Sequence, residues 1–229
     1  MNLSSPGAGL RLAGLIVGGI GVAFAIAGTL VVRYSPGAIA ARHARMMALP
    51  SPDGAALTDT PRGQEVLIEG RIAGDQPVLL RDFVAFVKEE ESRDRRDDDR
   101  REWKVKDRQL PPLHIERRGD EPVQVVNGFY SIANARTVWN DQSKVIDTRY
   151  TGLVSHEAVV IHGRVAAGGL EAIEVASGTR AAYLQAIADS IGTAWWLGVS
   201  FATGGGVMVA LALSFFLMAA RIGRRARGR

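Results

Sequence analysis

Two stretches free of charge decide what this chain can fold into. From Leu12 to Val32 run 21 residues without a charged side chain, bracketed by Arg11 and Arg33. From Ser190 to Ala220 run 31 more, closed by Arg221. About 20 apolar residues, rising ~1.5 Å each, span a hydrocarbon core ~30 Å thick. A buried core helix is usually shorter and carries charge on one face, which neither stretch does. Transmembrane helices are therefore expected at 12–33 and 193–220, leaving a short N-terminus at 1–11 and a basic tail at 221–229. A cleaved signal peptide needs an apolar region of about 7–15 residues and a nearby small-residue site. Ala38-Ile39-Ala40 lies beyond Arg33 and the apolar run is too long, so an uncleaved anchor is expected.

Charge placement then suggests a topology. All 24 acidic residues lie between positions 34 and 189, and the tail carries Arg221, Arg224, Arg225, Arg227 and Arg229. The positive-inside rule makes such a tail cytoplasmic, so two spans put both termini in the cytoplasm and the central domain outside it. Arg33, Arg42 and Arg45 run against the rule, but long domains translocate largely regardless of charge. Trp195 and Trp196, at the entry to the second span, suit the headgroup level, as do Arg221, Arg224 and Arg225 at its exit. The basic balance thus fits anionic lipid. The domain shows no basic stripe interleaved with aromatics, so no nucleic-acid partner is expected.

Between the spans, residues 34–62 read as an amphipathic linker. Within it Ile39 to Leu49 put Ile39, Met46 and Leu49 near one face, as a short helix on the membrane surface or a helical linker packed on its own domain would, and Pro50, Pro52 and Gly54 end that helix. From Gly63 to Gly178 the pattern is that of short strands: EVLIEGRI, PVLL, FVAFVKEE, REWKVKD, LHIE, PVQVVN, AVVIHGRVA and EAIEVA. Gly70 sits where a bulge or sharp bend would fall. This spacing indicates a mainly-β, OB-like barrel with some helix, not a βαβ fold. A juxtamembrane helix is expected over 179–192.

Fourteen of the fifteen residues from Lys88 to Glu102 are charged, six basic and eight acidic. Such mixed charge is ill suited to burial, so residues 89–102 are expected as a solvated hairpin loop. Asp97-Asp98-Asp99 lacks the alternation and glycine turn of a calcium loop. A charge-matched partner for the loop remains open.

The order of motifs resembles the beside-a-membrane domain family, which includes the intermembrane-space region of the mitochondrial membrane-anchored RING ubiquitin ligase and has bacterial members. The similarity lies in Glu69-Gly70-Arg71, in FVAFVKEE with Phe86, Glu89 and Glu90, in Trp103 after a charged loop, and in the late strand with His162-Gly163-Arg164. It continues through TRAAYLQAIADSIGTAWWLG into the second span. The resemblance implies a two-helix frame around a small β domain. It departs where the ligases carry a cysteine-rich RING, because this chain has no cysteine and nine residues of basic tail there. Phe83 occupies the area of another family cysteine. Ubiquitin-ligase activity does not carry over.

The residues point to no chemistry. Without cysteine there is no disulfide, thiolate zinc site or cysteine nucleophile. His43, His114, His156 and His162 lack metal-ligand spacing, and no G-x-S-x-G elbow or phosphate-cradling glycine loop occurs. No catalytic residue, metal or cofactor is expected. The spans suggest another role: Gly14, Gly18, Gly21, Ala25 and Gly28 fall on one helical face, and Gly204, Gly205 and Gly206 interrupt the second span. Small residues let helices approach closely where hydrophobicity cannot drive association. They serve either packing of the two spans on each other or contact with another membrane protein or a second copy. The expectation is a non-catalytic, membrane-anchored interaction module, an accessory or assembly subunit or an envelope-facing binding domain. An envelope enzyme or a ligand sensor is the alternative.

Overall fold

The computed structural model describes residues 8–227 except 53, 94–100, 118, 120, 136 and 143–146. Its elements, in chain order, are α1 (Ala8–Ala48), α2 (Gly54–Asp59), β1 (Glu65–Ile72), β2 (Phe83–Arg93), β3 (Arg101–Gln109), β4 (Leu113–Glu116), β5 (Val123–Val125), β6 (Ser131–Ala133), β7 (Thr137–Gln142), β8 (Asp147–Val154), β9 (Ala158–Ala166), β10 (Gly169–Ser177) and α3 (Arg180–Arg227). Two compact units result, one of residues 1–44 and 186–229 and one of residues 45–185.

The first unit holds most of α1 and α3, both long and apolar enough to cross a membrane. In their most apolar stretches only 11% and 17% of the residues are buried, so these are not core helices. Leu15, Ile16, Ile26, Leu211, Leu213 and Leu217 face outward, each more than half exposed. The expected division into span and linker does not appear in the backbone. Residues 34–48 continue α1 without interruption, across Pro36, and residues 180–192 continue into α3. Pro36 lacks an N–H to donate, but the turns on either side of it remain helical. At 41 residues α1 is roughly 60 Å long, about twice the thickness of a hydrocarbon core.

The second unit is built on a closed five-stranded barrel. Its strands run β5-β4-β1-β9-β10, every pairing antiparallel except the last, where β10 closes onto β5 in parallel. One parallel closure in an otherwise antiparallel Greek key gives the OB-like barrel that the strand spacing indicated. Alternation puts Val66, Ile68, Ile115, Val125, Ile161 and Leu170 inside, all fully buried. Leu57 of α2 joins this core. Gly70 is not a bulge, since β1 pairs with β9 in continuous register from Glu65 to Arg71. It is glycine because a Cβ there would collide with Ile115.

A second sheet, β3-β2-β8-β7, is assembled from two insertions into the barrel, one between β1 and β4 and one between β5 and β9. PVLL forms no strand beyond a single bridge at Leu80. The charged segment, by contrast, is strand at both ends: β2 runs to Arg93 and β3 starts at Arg101. Of the expected loop 89–102, residues 89–93 and 101–102 are strand, and residues 94–100, Asp97-Asp98-Asp99 among them, lie outside the described residues.

Along one edge of β10, β5 pairs at Leu170 and β6 at Glu174–Ala176. The gap between them is filled by Asn127. Its Oδ1 accepts from Ala172 N at 2.8 Å and its Nδ2 donates to Ala172 O at 2.9 Å and Phe129 O at 3.0 Å. A register shift between Ala172 and Glu174 lies at the same place. One side chain thus supplies the ladder bonds that a strand would make there.

Candidate interaction surfaces

In the helical unit, small residues form the seam. A Cβ on Gly21 would stand 2.8 Å from Met208 Cβ and 2.9 Å from Gly205 O. One on Gly28 would collide with the Ala202 backbone, and one on Gly205 with Ala25. Gly14 faces Phe216 and Ala212, and Gly18 faces Ala212. Gly204 and Gly206 instead have nothing within 4 Å. Of the three adjacent glycines, one lies in the seam and two lie outside it. Trp195 and Trp196 meet edge to face at 5.0 Å and are 43% and 65% exposed. Arg221 and Arg224 are exposed; Arg225 lies in α3, and its side chain is outside the description.

On the outer face of β1 and β9, a polar cluster surrounds Glu65. Its carboxylate accepts from Arg45 Nη2 at 2.5 Å and Arg164 Nη2 at 3.4 Å, and His162 Nε2 lies 3.5 Å away. The Arg45 hydrogen bond is the main reason the Glu65 carboxyl is held below its ordinary range. Nearby, Arg180 ties three segments together. Its backbone N–H donates to Glu69 Oε2 at 2.9 Å, while its guanidinium reaches Leu49 O at 3.0 Å and Met47 O at 3.3 Å. A cation on the carbonyls that end α1 is also favoured by the helix dipole. Sequence reading singled out neither Glu65 nor Arg180.

Among the described residues of the domain, both aromatic–arginine stacks lie on the inserted sheet. On one face Trp139 stacks with Tyr150 at 4.8 Å, Phe86 meets Tyr150 at 5.7 Å, and the Arg81 guanidinium lies 3.6 Å from the Trp139 centroid. Glu90 lies on the same face, paired with Lys88 at 2.8 Å and Lys106 at 3.8 Å. The Lys88 hydrogen bond, foremost, lowers the Glu90 carboxyl. On the opposite face Arg149 pairs with Glu89 at 2.7 Å and lies 4.7 Å from the Trp103 centroid. That face is sealed into the core at Ala85 and Leu153, then emerges at Val105 and Val138, 46% and 49% exposed. A hollow of about 350 Å³ there is lined by Trp103, Val138, Asn140 and Arg149, among others.

At Gly70 a Cβ would collide with Ile115, and a Cβ on Gly163 would stand 2.6 Å from Glu171 O. The histidines do not converge: His114 is exposed on β4, His156 sits in the β8–β9 turn at φ 63°, and His162 is buried on β9. Among the described residues no group of three or more histidine, aspartate and glutamate side chains could hold a metal ion. Comparison with protein-family models, curated proteins and solved structures finds no match to this chain.

Proposed function

We propose that this chain is a non-catalytic interaction module held at a membrane by two helices, serving as an accessory or assembly subunit of a membrane complex. The observation that carries this reading is the inserted sheet. The barrel closes without it, yet two insertions build it and expose Val105 and Val138 beside the Trp103–Arg149 stack on one face. Val105 and Val138 lie on the opposite edge strands β3 and β7 with the Glu89–Arg149 pair between them, so this face offers a partner a mixed polar and apolar surface. The glycine seam uses one face of each helix and leaves the outward leucines and isoleucines for lipid or a neighbouring membrane protein.

The same reading places the domain outside the cytoplasm, on the strength of the arginine-rich tail. It also makes the chain a ligase-free relative of the beside-a-membrane family. The order of Gly70, Phe86, Glu89-Glu90, Trp103 and Gly163 within a two-helix frame supports that kinship.

Purification of the full chain from its native membranes in mild detergent tests the proposal. A membrane protein recovered at fixed stoichiometry is the expected result, and a Val105→Asp/Val138→Asp variant should release it. A solitary monomer under all mild conditions would overturn the reading.

A further inference from the structure

One buried polar side chain, His162, sits loosely beside its neighbours. Only 9% of it is exposed, and among the described residues its Nε2 has no hydrogen-bond partner. Glu65 Oε2 lies 3.5 Å away. That oxygen is already in use: Arg45 Nη2 donates to it at 2.5 Å, while Arg164 Nη2 reaches the other oxygen, Oε1, at 3.4 Å. Arg45 stands in the last turn of α1, so the Glu65 carboxylate fastens the end of that helix to β1. The chain there is held a second time, by Arg180 on the Met47 and Leu49 carbonyls.

We propose that His162 and Arg45 exchange on Glu65 Oε2 as the imidazole gains and loses a proton, which makes the Arg45 tie a pH-sensitive latch. Neutral imidazole leaves the carboxylate to Arg45. Once protonated, both ring nitrogens are donors, and a charge so little exposed needs a counter-ion. The groups around it decide which one. Glu65 comes from β1, Arg164 from β9 itself and Arg45 from α1. Glu174, its register partner on β10, is engaged by Tyr183 of α3, whose hydroxyl donates to Oε2 at 3.3 Å. Arg180, also of α3, reaches the carbonyl of Leu67, the register partner on β1. Glu65 is thus the carboxylate at hand, and two cations then compete for one of its oxygens. Arg45 is 63% exposed, on a side chain long enough to turn into water, whereas buried His162 has no such outlet. The Arg45 bond is the one that yields. Arg180 binds carbonyls, which do not titrate, so it keeps the end of α1 in place while the latch opens.

The full-length chain in detergent carries the test. The His162 ring signal in carbon-13-labelled protein is assigned by elimination, with His43, His114 and His156 each replaced by Gln. It should shift as pH falls from ~8 to ~5.5, the range in which histidine takes up a proton. Glu65, whose carboxyl is lowered, stays ionised there. Arg45→Ala should reduce the folding equilibrium constant about threefold at pH ~8 and have little effect at pH ~5.5. In a His162→Gln background the Arg45→Ala effect should be the same at both pH values. A His162 signal that stays still over this range overturns the proposal, whatever His162→Gln does to folding. So does an Arg45→Ala effect that ignores pH while His162 is present, or one that still varies with pH once His162 is gone.

Discussion

Gly28 of α1 and Ala202 of α3 meet backbone to backbone, so closely that a Cβ on Gly28 would collide with the Ala202 backbone. Gly204, two residues further along α3, has nothing within 4 Å of the same hypothetical atom. Gly28→Leu should therefore force the helices apart at a cost of about 1–3 kcal/mol, whereas Gly204→Leu should leave the pair intact. Thermal unfolding of both variants in detergent separates them. Equal losses would mean that the seam is not where the glycines place it.

Arg81 gives a second, independent test. It holds a left-handed φ of 52° while its guanidinium covers Trp139. Arg81→Ala loses the stack and keeps the strained backbone, so it should cost about 0.5–2 kcal/mol. Arg81→Gly loses the same stack but relieves the strain, and should be the milder change. Denaturant unfolding followed by tryptophan fluorescence ranks the two.

Asn127 should be harder to replace than its loop position suggests. Asn127→Ala leaves the N–H and C=O of Ala172 without their side-chain partners, a loss of about 1–3 kcal/mol. Asn127→Asp keeps the acceptor for Ala172 N but loses the donor to the Ala172 and Phe129 carbonyls, and should also destabilise. Hydrogen exchange at the Ala172 amide reports whether the β10 ladder has opened.

The Glu65 cluster predicts a direction with pH. Its carboxyl is lowered in the folded state, chiefly by the Arg45 hydrogen bond. The stability it contributes is therefore present above the ordinary carboxylate range and is lost as pH falls through the lowered folded value. Arg45 is 63% exposed, so solvent screening keeps that contribution below about 1 kcal/mol. Glu65→Gln should lower the melting temperature near neutrality and make no difference at a pH where Glu65 is protonated. A variant equally destabilising at both pH values would contradict the linkage.

The strands of the barrel were legible in the sequence because short apolar runs bounded by glycine and proline mark them. Val66, Ile68 and Ile72 in β1, and Val159, Ile161 and Val165 in β9, keep a period of two, although Leu67 and Val160 on the other face are buried as well. Strands β7 and β8 escaped because both faces of the inserted sheet carry polar side chains. Arg149 is satisfied by Glu89 rather than by burial, so no apolar period betrays the strand. The same ion pairs let β2 run on through Glu89–Glu91 into a segment that composition alone makes a loop. Within the candidate site, the glycine stripe of α1 could be read by period, but which of Gly204, Gly205 and Gly206 meets it depends on the facing helix. Glu65 and Arg180 were invisible because their partners lie 20 to 133 residues away.

If the two helices hold the domain outside the cytoplasm, as proposed, Lys104 offers the most direct measurement of it. Its side chain is 53% exposed on β3, and the chain has no native cysteine to confuse the reading. Lys104→Cys should be labelled by a membrane-impermeant maleimide in intact cells or spheroplasts. Labelling that occurs only after lysis would place the domain in the cytoplasm and contradict the account.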